Sequence, residues 1–418
     1  MLAGIPITAT YLWQVLIQPI LFGGYLGDFQ ESYMRAAGRI AAGQDPYDLC
    51  AIAGCLEPTG PQYVMPPALA WMLQPLVGVQ GHLIAAGAVL LLNASLVIFL
   101  WFAMRAMRVV DWQLAAFLVL VALAFEPVVG NVAEGQVNLV LLALSGAWLA
   151  SWAKGAWWGG FPLGAAIALK LIQGPVGLLV LWARRWRMAA AAAAAGLVMA
   201  LIPAPQYLLE YLSKVLPAVS QGTGLFENHS PGGTFARLFE PDTFLGAVRG
   251  SPAPARVLTV IVAVAALLVT FLVLRSPAVS HTARALEASA IVAVTPLVAT
   301  YSWGTHLVLL LLPMLVLLAW AVRRRDWTVV ALVAASWLLI GPGHKALQAL
   351  LVAGYSNLLV LRLMAEFGVV GILAVWVAAL VAVRRERSAH GLDAADEEGP
   401  QSQQHDRAGE YDAVSGIV

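Results

Sequence analysis

The chain has 418 residues, of which 61% are hydrophobic and only 11% charged, and its mean hydropathy is +0.80. That is too apolar for a soluble protein, and repeated apolar runs near twenty residues mark an all-α polytopic membrane protein. Lys and Arg exceed Asp and Glu by a single charge, so no basic field exists to draw in nucleic acid.

About twelve stretches of helical length are predicted, at 6–25, 82–104, 112–129, 136–152, 157–171, 175–183, 188–203, 257–274, 287–302, 307–322, 327–340 and 363–383. The first lacks a basic leader and a small-residue cleavage site and reads as a retained helix. Basic clusters at Arg105/Arg108, Lys154, Arg184/Arg185/Arg187, Arg275/Arg284, Arg323/Arg324/Arg325 and Arg384/Arg385/Arg387 fall on alternate connections. The positive-inside rule assigns those connections, and both termini, to the cytoplasm of a plasma-membrane protein. The long connections 26–80 and 204–256 then face outward. With the turns at 130–135, 303–306 and 341–362 they hold most of the Asp, Glu, Asn and His. The expected organisation is a membrane domain over 1–383 with its polar chemistry on the outer face, then a disordered cytoplasmic tail over 384–418.

The first outer connection opens with GDFQESYMRAAGRIAAGQDPYD. Asp28 has two readings there: an N-cap for a helix over 29–42, or an acid held at the membrane surface for proton chemistry on a membrane-bound substrate. The helix would place Phe29, Tyr33, Ala36, Ala37 and Ile40 on one stripe and lie in the interface. Pro46 sets a turn, and Cys50 and Cys55 follow in DLCAIAGCLEP. On an oxidising outer face they would close a disulfide hairpin; as metal ligands they supply only two of the four a zinc site needs. A second interfacial segment over 63–79 starts helically at the proline pair of YVMPPALAWMLQPL.

Further along, FEPVVGNVAEGQVNLVLL offers Glu126, Asn131 and Glu134 as turn residues, whereas Gln136 and Asn138 enter the next apolar helix and need partners. Lys170, in GFPLGAAIALKLIQGP, must either snorkel to the headgroups or meet an anion such as a lipid phosphate. Asn228, His229, Ser230 and Arg237, in FENHSPGGTFARLF, suit phosphate or sugar hydroxyls, and are also ordinary loop composition. In TPLVATYSWGTHLVLLLLP, Trp303 marks a membrane interface and His306 suits a donor to an anionic group.

The ordered series GDFQESYMRAAGRIAAGQDPYD, YVMPPALAWMLQPL, EGQVNLVLLAL, ALKLIQGPVGLLVLWARRWR, NHSPGGTFARLF and YSWGTHLVLLLLP resembles the GT-C glycosyltransferases that use polyprenyl-phosphate sugars. It is most similar to the family 87 mannosyltransferases of the phosphatidylinositol-mannoside-elongating kind, across most of the membrane region. The resemblance implies a GT-C fold, with Asp28 in its DFxxxY context as general base and Lys170 and His306 on the donor phosphate, joined by His229 and Arg237. It implies Tyr33, Gln136, Asn138, Asn228, Ser230 and Trp303 around the sugar and acceptor. It also implies no nucleotide sugar, cofactor or metal, and the sequence has no DxD-type acidic pair that would hold one.

The implied reaction moves a mannosyl residue, with inversion, from polyprenyl-phosphate-mannose to a hydroxyl of a glycolipid acceptor, in α-1,2 linkage, among the lipids of the outer face. The cysteine hairpin and the short second connection depart from the family pattern and leave the acceptor open. Competing readings are the same chemistry with another sugar such as arabinose, a structural subunit with Asp28 as a cap, and a flippase for lipid-linked sugars. The flippase predicts ionisable groups on the inner half, where the connections carry mostly Arg and no carboxylate cluster.

Overall fold

The computed structural model describes residues 4–49, 52, 61–203, 205–245, 250–275, 278 and 280–412. Cys50 and Cys55, and with them the expected disulfide, lie outside the described residues. Among the described residues the chain consists of helices and their connections. Among the described residues six helices are long and apolar enough to cross a membrane: Gly4–Phe22, Gly81–Ala106, Ala253–Val273, Gly304–Arg324, Trp327–Val352 and Leu358–Ala389. Two bent pairs, Trp112–Leu123 with Glu126–Glu134 and Trp186–Leu201 with Pro205–Val219, raise the number to eight.

The expected twelve stretches all fall on helices, yet several of these helices are too short to span. Gly160–Leu169 has 10 residues and Asn138–Lys154 has 17. At a rise of ~1.5 Å per residue they reach ~15–25 Å, against a hydrocarbon core of ~30 Å. The last helix is Phe367–Asp412.

His281–Val298 and Leu311–Arg324 are buried along most of their length and form the middle of the bundle, and the buried Glu287 of the first is paired with Arg387 at 3.0 Å. Gly160 and Gly164 let their helix approach Trp186–Leu201 closely. A Cβ at either would come within 2.2 Å of the Met188 carbonyl or 2.1 Å of the Ala192 carbonyl. This is the small-xxx-small contact of membrane helices.

Helix Asn138–Lys154 gives the bundle two chemically distinct ends. At its Lys154 end the Trp152 and Ala153 carbonyls accept Arg185 Nη1 at 3.1 Å and Arg284 Nη1 at 3.4 Å, and the Arg185 guanidinium stacks 3.7 Å from the Trp152 ring. Arg323 Nη1 reaches the Met107 carbonyl at 2.7 Å nearby. Its Asn138 end meets the first long connection. There the helical stretches Phe29–Met34 and Arg35–Ala41 bury the expected stripe of Phe29, Tyr33, Ala36, Ala37 and Ile40 against the protein. Rings pack this connection on itself, Tyr33 edge-to-face on Tyr63 (6.3 Å) and Tyr47 stacked on Tyr63 (5.8 Å), and join it to Tyr211 of the second long connection (6.2 Å from Tyr47).

Candidate active site

A cavity of about 770 Å³ opens at the Asn138 end and is lined by Asp28, Tyr33, Gln136, Lys170, Trp303 and His306 among others. The Asp28 backbone is already helical (φ −67°, ψ −35°) and its carboxylate bonds none of the N–H groups of the following helix, so the capping reading does not hold. The carboxylate instead accepts a hydrogen bond from Gln136 Nε2, while the buried Tyr33 hydroxyl donates to Gln136 Oε1 at 2.7 Å. Burial raises the Asp28 carboxyl above the usual carboxylate range, and the Gln136 bond and the Lys170 charge pull it back. Burial likewise raises the Tyr33 phenol, which stays protonated and able to donate.

Gly135 makes this relay possible. Helix Glu126–Glu134 ends on it in the left-handed conformation (φ 68°), and a Cβ there would lie 2.4 Å from Phe29 Cβ. Only glycine permits both the turn and the contact, which together carry Gln136 to Asp28.

Lys170 sits at a break in a membrane helix. Gly160–Leu169 stops at its extended backbone (φ −158°, ψ 119°), a short 3₁₀ turn follows, and helix restarts at Gly174 with Pro175 in its first turn. The break turns the ammonium into the cavity, where Nζ donates to Asn138 Oδ1 at 2.9 Å and keeps two further donors for an anion. His306 lies in another break, the 3₁₀ turn Gly304–Leu310 after Trp303. The preceding Thr305 carbonyl is clamped by Asn131 Nδ2 at 2.7 Å and Asn138 Nδ2 at 3.2 Å. One amide, Asn138, therefore positions both Lys170 and the His306 backbone.

The remaining expected residues stand behind the cavity wall. Asn228 is fully buried: its amide donates to the Thr223 and Thr300 carbonyls at 2.9 and 3.2 Å and accepts from the Ser302 N–H at 3.0 Å. Ser230 caps helix Pro231–Phe239 through the Gly233 N–H and donates to the Thr300 carbonyl at 3.0 Å. Arg237, expected on the donor phosphate, is spent on Glu366 at 2.8 Å and on the Leu225 and Asn228 carbonyls. His229 packs edge-to-face on His344, ring centres 4.8 Å apart. Burial, then His344 and Arg237, push it down to about 3, and it stands behind the cavity wall. Asn228 and Ser230 bond within the protein, whereas Arg237 Nη2 and His229 Nδ1 are buried without a hydrogen-bond partner among the described residues, and none of the four lines the cavity.

The cavity also holds residues that local sequence pattern does not mark. Glu134 and Glu227 line the cavity with Asp28, and burial, then the charges of Glu134 and Asp28, raise the Glu227 carboxyl. Lys345 bridges to Glu126 at 3.0 Å, and Gln348 Nε2 lies 3.0 Å from His344 Nε2. The signal for Glu227 is present in the sequence as a carboxylate directly before the polar run Asn228–Ser230. Among the described residues no three His, Cys, Asp or Glu side chains converge as metal ligands.

The family model of glycosyltransferase family 87 matches residues 63–300, more than half of the chain. The chain belongs to glycosyltransferase family 87. The matched span of this glycosyltransferase contains Gln136, Asn138 and Lys170, while Asp28 and His306 flank it. No curated protein sequence is a significant match. Among solved structures it is similar to ArnT from Cupriavidus metallidurans bound to undecaprenyl phosphate, at 14% identity over 94% of this chain and 79% of that one. The TM-score is 0.46.

Proposed function

We propose that this family 87 enzyme transfers a mannosyl residue from polyprenyl-phosphate-mannose to a hydroxyl of a glycolipid on the outer membrane face, inverting the anomeric carbon to an α-1,2 linkage. The observation that carries the reading is the pairing of two positioned groups on one cavity: the Tyr33–Gln136–Asp28 relay and the Lys170–Asn138–Thr305 clamp. Gln136 occupies one face of the Asp28 carboxylate and leaves the other oxygen to take the proton of the attacking hydroxyl. Lys170 and His306 face the lipid phosphate as it leaves and meet its growing negative charge. Val64, Met65, Leu171 and Ile172 give the same cavity an apolar wall suited to the isoprenoid next to that phosphate. The arginine-rich opposite end supports a cytoplasmic placement for that end and an outward-facing cavity. Tyr33, Gln136 and Trp303 line the space left for sugar and acceptor.

The test is transfer by purified protein in lipid discs from labelled polyprenyl-phosphate-mannose to a membrane-lipid extract. The expected result is a labelled glycolipid heavier than its acceptor by one hexose. Donor that crosses the bilayer with no product would establish the flippase instead, and product formed only from an arabinose donor would overturn the choice of sugar.

A further inference from the structure

A second cavity, of about 460 Å³, lies at the arginine end, between the close of Gly304–Arg324, the start of Trp327–Val352 and the helix that begins at Phe367. Trp320 and Glu386 form its buried floor, with Trp320 Nε1 donating to Glu386 Oε2 at 2.8 Å. Around it three guanidiniums, Arg324, Arg325 and Arg385, outnumber two carboxylates, Asp326 and Glu386. Both acids are already spent within the protein. Glu386 is held by Arg324 at 3.1 Å, and Asp326 pairs with Arg385 and caps the Val329 N–H at 3.3 Å.

The acids' side chains are 3% and 8% exposed, whereas their arginine partners keep 52% and 50%. A guanidinium has five N–H donors and a carboxylate satisfies about two, so donors remain for the cavity. The third cation, Arg325, meets no partner among the described residues.

The backbone supplies an independent pointer. Among the described residues only three non-glycine positions have positive φ, and all are arginines: Arg108 (51°), Arg184 (53°) and Arg325 (55°). Each follows a helix end on this side of the bundle, and the Arg108 carbonyl is bonded by Arg323 Nη2 at 3.0 Å. An L-residue in that conformation costs ~1 kcal/mol that glycine avoids. Glycine does close helix Asn138–Lys154 at this end, but Arg284 Nη1 would lie 3.1 Å from a Cβ at Gly155. Elsewhere on this end the guanidinium is kept despite the conformational penalty.

We infer that the 460 Å³ cavity is a binding site for the phosphate of an anionic membrane-lipid headgroup, with Arg325 as its principal donor and Arg324 and Arg385 beside it. Arginine forks bind phosphate bidentately, and the exposed Trp327 at the cavity edge provides the amphipathic ring typical of headgroup depth. The site lies at the opposite end from the sugar-transfer cavity and does not depend on that activity.

The test uses full-length protein in phosphatidylcholine discs doped with phosphatidylglycerol, with retained lipid counted by native mass spectrometry. Arg325→Gly removes the guanidinium and relieves the left-handed backbone, so it keeps the fold. The wild type is expected to retain phosphatidylglycerol over phosphatidylcholine, and Arg325→Gly to retain roughly tenfold less. Its melting temperature in pure phosphatidylcholine should match or exceed that of the wild type. Arg105→Gln, at the same end but outside the cavity, should retain lipid as the wild type does. Equal retention of both lipids by the wild type, or equal losses in the two variants, would overturn the site. If inorganic phosphate stabilises the wild type but not Arg325→Gly, and phosphatidylglycerol is not retained, the anion is a free phosphate and the lipid assignment falls.

Discussion

Segments 126–138 and 228–237 draw on much the same polar alphabet, yet they spend it differently. In the first, Gln136 reaches Asp28 and Asn138 reaches Lys170, so the amides aim ionisable groups at the cavity. In the second, Asn228, Ser230 and Arg237 close on the backbone of their own loop, on Thr300 and Ser302, and on Glu366. Helix termini make the difference. Gly135 ends one helix in a left-handed turn that swings the next residues sideways, whereas Ser230 caps its own helix and uses up its oxygen. A polar residue buried in a membrane protein must have a partner; whether that partner faces the cavity or stands behind its wall depends on where the nearest helix stops.

The comparison breaks most visibly at its two cations. Lys170→Met should lower the transfer rate by about 10²–10³, the usual loss for a donor aimed at a developing oxyanion, with the melting temperature nearly unchanged. Arg237→Met should do the reverse. It unpairs Glu366 and costs about 3 kcal/mol of stability, while the rate per folded molecule holds. Thermal melts and active-site-normalised rates together separate the two outcomes, and equal rate losses would erase the distinction.

Gly135→Ala should follow in size. Its Cβ must push Phe29 away and the backbone must stay at positive φ, so a loss of about 1–3 kcal/mol in stability is expected, together with lower transfer. A variant as active and stable as the wild type would show that this turn does not set the Asp28 relay.

Gln136→Leu sharpens the electrostatics. The proposed base role needs an ionised Asp28, and burial already sets its pKa above the usual carboxylate value of about 3.9. Gln136 donates to the ionised form and holds the pKa down, so its loss should move the acid limb of the pH–rate profile to higher pH, with partial recovery of rate at alkaline pH. An unmoved acid limb would detach Gln136 from Asp28.

The smallest effect is expected at Asp45. Burial, then its hydrogen bond with Glu210, push its carboxyl up to about 6. A raised folded-state pKa gives stability that is complete below the unfolded value of about 4 and is lost as pH rises through about 6. Asp45→Asn should flatten the slope of stability between those pH values, and a slope identical to that of the wild type would contradict the contact.

Much of this was legible in the sequence. Composition and apolar runs gave a helical membrane protein, and the charged connections separated an arginine end from a polar end. Asp28, Gln136, Lys170 and His306 stood out because each is a polar group beside or inside apolar helix. What stayed hidden depends on geometry. The break at Lys170 turns expected spans into short half-helices, since no local pattern tells a 10-residue apolar helix from part of a long one. Asn131 reads as a turn residue until the fold brings Thr305 to its amide. Arg237 looks like a phosphate ligand until Glu366, far along the chain, arrives to neutralise it.

The most direct measurement is single-turnover mannosyl transfer by Asp28→Asn with donor binding measured in parallel. Asparagine keeps the size of the side chain and an oxygen for the Gln136 bond, but it cannot take a proton. Retained donor binding with transfer lowered by about 10²–10⁴ is the predicted result. Transfer within a factor of about three of the wild type would contradict the assignment of Asp28 as the base.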